Sequence, residues 1–320
     1  MMILRTFLIS LSLIILTACG VQGTIDERVE AARERNDGPA IWQVKDFDST
    51  LYVFGTVHLM PDDRSWLRDD LKEVFDKSGT VFFELDTNRN AQIEATVLTQ
   101  SLGFFTNGTL LTDRFDRYQL RLLEAAALSS DTPLAVLQNM KPWLASEVIT
   151  LAAAQQAGLS GDVSADEALK SRAQRGQKNI RYLDSVEGQI RASADQPNFV
   201  QEIMIMDTLE GYNSLADNLT RTADHWLIGR TDYIEQNVKK TKTRSPEFYQ
   251  SLFTDRNRKW ARTLTRHMED SGTSFAAVGI GHLLGEDSLL KYLEDAGYEV
   301  KRYYAYQGEP VINIIELPEN

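Results

Sequence analysis

Residues 51–58 read LYVFGTVH and residues 275–282 read FAAVGIGH, and these two stretches decide the fold. Each is a run of apolar residues typical of a buried β-strand, and each ends in the pattern Gly-x-x-His. A helical pattern follows both of them. Since nothing else in the chain repeats in this way, we expect the two stretches to be matching strands that share one sheet.

The surroundings of the first stretch predict a hairpin and a βαβ unit. The strand-like residues 41–44 and 51–54 flank the turn-rich residues 46–49, which is the pattern of an antiparallel hairpin. After residue 58, apolar residues recur at helical spacing, and residues 80–86, TVFFELD, are too continuously apolar for a half-exposed strand. Strand, helix and buried strand in this order predict two parallel strands.

The middle of the chain, about residues 88–270, is predicted to be a large helical insertion. Its helical periodicity is clearest over residues 112–127, 141–156, 164–174, 198–213 and 247–268, and a short strand is predicted at residues 179–183. The basic run at residues 239–244, KKTKTR, is predicted to be a solvated loop.

The C-terminal part returns to the opening pattern, with a helix predicted over residues 286–296 and strands over residues 298–304 and 311–317. The sequence therefore predicts an α/β fold of the α+β type. A small central mixed sheet, built from N- and C-terminal βαβ-like units, carries the helical insertion. Residues 39–320 are enough to form one domain around a substantial core.

Composition and charge narrow the class of protein. Of 320 residues, 42% are hydrophobic and 25% are charged, which is typical of a globular protein. The formal net charge of −12 at pH 7 argues against a nucleic-acid partner, since phosphate contacts need a basic surface. The single cysteine excludes an intrachain disulfide and a zinc cluster made of cysteines alone.

Residues 1–18 have the layout of an export signal, with an apolar stretch too short to span a bilayer. Residues 16–19, LTAC, resemble the lipobox of bacterial lipoproteins, which implies lipidation of Cys19; the alternative is an ordinary signal peptide with a chance cysteine. Residues 19–38 would form a polar tether or a short helix on the domain. We expect attachment to the membrane through an N-terminal lipid in the cell envelope, on the outer membrane and facing the periplasm.

Three residues with metal-binding side chains are predicted to meet at one edge of the sheet. His58 and His282 each follow a predicted buried strand, and Glu84 ends the strand parallel to the one that bears His58. Ligands bind at the carboxyl ends of strands in open α/β sheets. Two histidines and a glutamate suffice to hold a catalytic divalent metal with an open water position. Gly55 and Gly279, which begin the two Gly-x-x-His motifs, would let the backbone approach a ligand closely.

These residues also have structural interpretations. A single histidine beside a glycine is usually a hydrogen-bonded surface or core residue, and only the repeated context favours function. His225 and His267 lie in polar helical patterns and are predicted to be surface residues. Asp86 would share the face of Glu84, either as a partner that supports the site or as the start of the next loop.

Four motifs occur in order along the chain: GTVH after a hairpin, FFELD, LFTDRNRKWARTL, and FAAVGIGHLLGEDSLLKYLEDAGYEV. Together they resemble the TraB/GumN family, relatives of the Tiki membrane proteases, over roughly residues 39–306. The resemblance implies a metal site formed by His58, His282 and Glu84. In the Tiki branch such a site supports manganese- or cobalt-dependent peptide cleavage. By the same similarity, Arg256 and Asn257 would point at the site, as residues that support it or contact substrate.

The residues by themselves leave other roles open. Arg256 and Asn257 equally fit a solvated helix face, with Asp255 and Lys259 paired one turn apart. The family's Gly-x-Asp helix start is represented only loosely, by residues 161–166, GDVSAD. This segment is expected to shape the substrate cleft, so its divergence from the family pattern means that the resemblance does not identify the substrate.

Together these observations predict a metal-dependent, peptidase-like hydrolase that acts on a peptide or protein. Manganese or cobalt is the expected metal, with zinc as the alternative. Glu84 would be either a third metal ligand or the general base. The alternative function is a non-catalytic lipoprotein that binds metal, haem or another ligand on the same scaffold, and an esterase-type hydrolase is a third. The sequence favours no particular oligomeric state.

Overall fold

The structure, a computed structural model, describes residues 38–61, 66–161 and 164–303. The predicted signal peptide, Cys19 and the predicted strand at residues 311–317 lie outside the described residues, as does the predicted tether up to residue 37.

Apolar, β-branched and aromatic runs form the central sheet. The strands are β1 Ile41–Lys45, β2 Ser49–Thr56, β3 Met60–Pro61, β4 Thr80–Phe83, β5 Leu159–Ser160, β6 Asn179–Tyr182, β7 Gly272–Gly279 and β8 Glu299–Arg302. Six of them form one sheet in the order β6-β4-β7-β2-β1-β8, while β3 pairs with β5. β1 is antiparallel to β2 and β8, and the pairs β2–β7, β7–β4 and β4–β6 are parallel. The predicted mixed sheet and the hairpin are confirmed.

The two parallel strands of the first βαβ unit are separated by β7, which comes from the far end of the chain. β7 pairs with β2 along its whole length, so that Gly279 lies opposite Thr56. On its other side β7 pairs with β4, where Ala277 lies opposite Phe83. The carboxyl ends of β2, β7 and β4 are therefore side by side at one edge of the sheet.

Helices occupy most of the chain between β4 and β7, and one further α-helix lies on either side of this segment. The α-helices of the described residues are α1 Asp69–Lys77, α2 Arg89–Gly103, α3 Arg117–Ser129, α4 Leu134–Leu137, α5 Pro142–Gln156, α6 Ala165–Arg175, α7 Val186–Ala194, α8 Asn198–Glu210, α9 Tyr212–Leu227, α10 Asp232–Arg244, α11 Pro246–Tyr249, α12 Asp255–Met268 and α13 Leu289–Asp295. Capping side chains fix the N-termini of several helices. Before α6, for example, the side chain of Ser164 accepts a hydrogen bond from the backbone N–H of Glu167. The insertion is mostly helical, as predicted, and it also supplies β6 to the sheet.

The structure refines one prediction about the insertion and overturns another. Residues 247–268 are helical throughout, as predicted, but a π-helical turn at Gln250–Thr254 separates α11 from α12. The basic run at residues 239–244 is the end of α10 and not a loop, because basic side chains are favourable in the last turn of a helix. Two of them also have distant acidic partners: Lys242 pairs with Asp287, and Arg244 pairs with Asp207. A local run of charge does not reveal such partners.

The two largest apolar clusters among the described residues hold these layers together. The larger surrounds the sheet and contains the fully buried rings of Phe54, Phe275 and Trp260. The second lies among α2, α3, α5 and α8 and contains Trp143. In the part of the chain that the structure describes, no helix is long and apolar enough to cross a membrane.

Candidate functional site

The three aligned strand ends place His58, Glu84 and His282 around Gly279. A Cβ atom added to Gly279 would lie 3.1 Å from Oε1 of Glu84, 3.5 Å from Nε2 of His58 and 3.7 Å from Cδ2 of His282. The backbone N–H of Gly279 also donates to Oε1 of Glu84 at 2.6 Å. The missing side chain at Gly279 therefore leaves the space on which the three groups converge.

The imidazole of His282 is fixed in one tautomer and one orientation. Its ring lies between Phe253 and Trp260, with ring centroids 5.1 Å and 4.4 Å away. Nδ1 lies 2.7 Å from Oδ1 of Asn257, whose Nδ2 in turn donates to the backbone carbonyl of Asp287. Because Oδ1 is thereby the acceptor, Nδ1 carries the proton and Nε2 carries the lone pair.

His58 is held in the same way by a carboxylate. Its Nδ1 lies 3.2 Å from Oδ2 of Asp166, and the other carboxylate oxygen accepts a hydrogen bond from Thr56. Burial alone would lower the pKa of His58, but the hydrogen bond and charge of Asp166, with the charge of Glu84, raise it above its usual value. Nε2 of His58 is buried and has no hydrogen-bond partner among the described residues.

Arg256 bridges the other two predicted ligands. Its Nη2 donates to Oε2 of Glu84 at 2.8 Å, and its Nη1 lies 3.2 Å from Nε2 of His282. Its Nε donates to Oδ2 of Asp184 at 2.8 Å. Burial, and then the positive charge of Arg256, lower the pKa of His282 to about 3, so this imidazole is neutral and accepts the bond from Arg256.

The solvated-face interpretation of Arg256 and Asn257 is wrong, because their side chains are buried. Lys259, which that interpretation paired with Asp255, instead donates to Asp184 at 2.9 Å. The π-helical turn directly before α12 contributes Phe253 to the site, and the first turn of α12 contributes the arginine and the asparagine. Such π turns are frequent at functional sites.

Two of the three predicted metal ligands, Glu84 and His282, are bonded to Arg256. In the described ranges, no group of three His, Cys, Asp or Glu side chains is arranged to hold a metal ion. The guanidinium of Arg256 occupies two of the acceptors that an ion would use. The chemistry of the donors nevertheless fits a divalent ion, since both histidines are anchored through Nδ1 and Glu84 adds a carboxylate. Binding of an ion would require the guanidinium of Arg256 to release Nε2 of His282. The hydrogen bond from Nε of Arg256 to Asp184 would remain.

Two other predicted residues have structural roles. A Cβ atom at Gly55 would lie 2.3 Å from Cδ1 of Ile280, and the Gly55 carbonyl accepts a hydrogen bond from Nε1 of Trp226 at 2.7 Å. Gly55 therefore allows β2 to pack closely beneath the second Gly-x-x-His motif. Asp86 starts the following loop, as one alternative predicted, and its carboxylate accepts hydrogen bonds from the backbone and side chain of Asn88.

The prediction that His225 and His267 are surface residues is wrong, because both are half-buried against aromatic rings. The centroid of His225 lies 4.8 Å from that of Tyr233, and the centroid of His267 lies 4.9 Å from that of Phe82. The residues next to each histidine in the sequence are mostly polar, so the sequence pattern did not indicate these contacts with aromatic rings.

Sequence reasoning missed two carboxylates that orient the site. Asp184 follows β6 as Glu84 follows β4, and its backbone N–H donates to the carbonyl of Glu84. Because Asp184 directly follows the predicted strand at residues 179–183, the sequence could have indicated that it lies at the same edge of the sheet as Glu84. Asp166 was noted only within the loosely matching segment GDVSAD, and nothing local connects it with His58.

The site opens to an apolar side and to a polar side. On the apolar side is a cavity of about 70 Å³ whose lining includes Leu219, Ile234 and Phe253. On the polar side is a cavity of about 20 Å³ whose lining includes Lys170. His58 lines both cavities, so a ligand that passes from one to the other would contact its imidazole.

Comparison with known proteins assigns the chain to a family. No curated protein and no solved structure matches it. Residues 40–302 match the model of the TraB/PrgY/gumN family. That range includes the whole central sheet, both Gly-x-x-His motifs and the helix that bears Arg256. The chain therefore belongs to the TraB/PrgY/gumN family.

Proposed function

We propose that this chain is a divalent-metal-dependent hydrolase that cleaves peptide bonds at the site around Gly279. The orientation of the two imidazoles carries the proposal. Asp166 holds Nδ1 of His58 and Asn257 holds Nδ1 of His282, so Nε2 is the ring nitrogen that each imidazole can offer to an ion beside Gly279, once Arg256 releases that of His282. Histidine ligands of metals are fixed through their second nitrogen in this way.

His58, His282 and Glu84 are the residues that would hold the ion, with manganese or cobalt as the first choice and zinc as the second. A divalent ion there would polarise a peptide carbonyl and bring the pKa of a bound water close to neutral. The site lies at the carboxyl ends of parallel strands, where α/β proteins bind their ligands.

The chain's own residues supply charge and a proton acceptor. Burial would raise the pKa of Glu84, but the positive charge of Arg256 and the hydrogen bond from the backbone N–H of Gly279 hold it below its usual value. Glu84 is therefore a carboxylate that can either bind the ion or accept a proton from an attacking water. The guanidinium of Arg256, already at the site, can stabilise negative charge that develops on the carbonyl oxygen of the substrate.

The proposal also includes the location of the enzyme. Lipidated Cys19 would attach the chain to the envelope, on the outer membrane, with the catalytic residues facing the periplasm. Its support is the export-signal layout and the lipobox-like residues 16–19.

Metal analysis followed by an activity assay tests the function. The full chain, purified without added metal, is analysed for metal and then incubated with a mixed peptide library and manganese, cobalt or zinc in turn. We expect cleavage that requires one of these ions and stops when a chelator is added. A protein that holds metal or haem but cleaves nothing would support a non-catalytic binding function. A protein that neither binds metal nor cleaves peptides would reject both.

A further inference from the structure

One residue that lines the apolar cavity beside the site has an unpartnered hydrogen-bond acceptor. Asn237 of α10 lines this cavity, and the residue is only 2% exposed. Its Oδ1 atom is buried and has no hydrogen-bond partner in the described part of the chain. Leaving such an oxygen unsatisfied costs about 1–3 kcal/mol. A ligand that brings a donor to this oxygen would recover that cost.

The rest of the lining is suited to an apolar group. Leu219 of α9, Ile234 of α10, Phe253 of the π-helical turn and Ile280 after β7 supply apolar surface. The cavity volume of about 70 Å³ corresponds to roughly five waters, or about 150 Å³ of liquid water. One aromatic side chain with a polar atom at its end is of this size.

The cavity is continuous with the catalytic residues. His58, Gly279 and His282 line it together with Asn237. If one side chain of a bound peptide fills the cavity, the backbone of that peptide therefore lies next to the imidazoles of His58 and His282. The position is that of a specificity pocket next to the bond that is cleaved.

We propose that this cavity binds the side chain of a tyrosine or tryptophan adjacent to the scissile peptide bond, with the O–H or N–H group of that side chain donating to Oδ1 of Asn237. The role beside a scissile bond rests on the proposed function, whereas binding of the aromatic side chain does not require cleavage. A phenylalanine side chain fits the same walls but leaves Oδ1 unsatisfied. The pocket therefore selects aromatic residues that carry a donor.

Binding is tested first, on the full chain without metal. N-acetyl-tyrosinamide and N-acetyl-phenylalaninamide are titrated, and their Kd values are measured by NMR. We expect the tyrosine compound to bind about tenfold more tightly, because only it satisfies Oδ1. Asn237→Leu should abolish or reverse this preference. Equal affinities for the two compounds in the wild-type chain would overturn the proposal.

A matched pair of variants tests the location of the pocket. Thr222 is a half-buried lining residue of α9, so Thr222→Phe should fill the cavity and weaken the binding of the tyrosine compound at least about tenfold. Thr220→Phe, on the same helix but not in the lining of this cavity, should leave binding unchanged. Circular dichroism establishes that the variants are folded. If Thr222→Phe binds as the wild type does, the assigned cavity is wrong.

Cleavage of the peptide library separates the two proposals. Cleavage next to tyrosine or tryptophan supports both. Cleavage without this preference supports the proposed hydrolase function and rejects the proposed pocket. Selective binding of the tyrosine compound by a chain that cleaves nothing supports the pocket and rejects the hydrolase.

Discussion

Nη2 of Arg256 donates to Oε2 of Glu84 at 2.8 Å, although 172 positions separate the two residues. The side chains of both residues are only 6% exposed. The pair therefore ties α12 of the helical insertion to the end of β4, and it places a cation where the sequence predicted a metal. Its effects on stability and on activity can be separated by mutation.

Replacing the arginine should destabilise the fold. Arg256→Met leaves the carboxylates of Glu84 and Asp184 buried without this cation, and breaking a buried ion pair in this way costs about 3–5 kcal/mol. Urea denaturation measures the loss in the free energy of unfolding. Arg262→Met, on an exposed position of the same helix, is the control and should change it by less than about 0.5 kcal/mol. Similar losses in both variants would show that the ion pair does not stabilise the site.

Glu84→Gln should abolish hydrolysis but preserve the fold. The amide keeps the shape of the side chain, and Arg256 retains its bond to Asp184. Loss of the charge should lower turnover by at least about 100-fold, whether Glu84 binds the ion or moves a proton. Metal retention in the variant would favour the general-base role, and metal loss would favour the ligand role. Exposed Glu94→Gln is the control, and full activity in Glu84→Gln would remove this residue from the mechanism.

The two motif glycines should respond differently to alanine. At Gly279 the backbone angles, φ −51° and ψ 131°, suit alanine, but the new methyl group would lie 3.1 Å from Glu84 and 3.5 Å from His58. Gly279→Ala should therefore lose activity with little change in melting temperature. Gly55→Ala should lose about 1–3 kcal/mol of stability, because its methyl group collides with Ile280. An active, stable Gly279→Ala protein would show that the space at this glycine is not used.

Stability should fall as the pH rises through the neutral range because of Glu147 in α5. Oε2 of this residue is buried without a hydrogen-bond partner among the described residues, and burial raises its pKa to about 8. The folded chain thus keeps a proton that the unfolded chain loses near its usual pKa. The proton's contribution to stability is complete below the pKa of Glu147 in the unfolded chain and is lost as the pH rises to about 8. Over this range the free energy of unfolding should fall by at most about 1.4 kcal/mol per pH unit.

Chemical denaturation between pH 5 and about pH 8 measures this slope. Glu147→Gln should flatten it, because the amide does not titrate. Glu124→Gln, at an exposed position of α3, should leave it unchanged. If the wild type and Glu147→Gln have the same pH dependence, Glu147 does not carry the proton.

Cys19→Ser should prevent lipidation. The unmodified chain would be left uncleaved or released in soluble form, because the thiol that accepts the lipid is missing. Mass spectrometry of the N-terminus and fractionation of the envelope measure this outcome. A wild-type mature chain that begins with an unmodified residue other than Cys19 would contradict the anchor.

The sequence by itself determined the six strands of the central sheet, the hairpin and the three residues at the strand ends. These follow from apolar periodicity and from the repeated Gly-x-x-His pattern, both of which are local signals. The helical character of the insertion was readable for the same reason. The π-helical turn before α12 was not readable from the sequence, because its residues have the same apolar pattern as a continuous α-helix.

Only the tertiary structure decided which strands are neighbours and which groups orient the site. The sequence did not show that β7 lies between β2 and β4, since pairing between strands depends on contacts made far apart in the chain. The anchoring of His58 by Asp166, the bridge from Arg256 to Glu84 and the unpartnered oxygen of Asn237 arise in the same way. Hydrogen bonds and burial depend on distance in space, and the order of residues along a chain does not specify that distance.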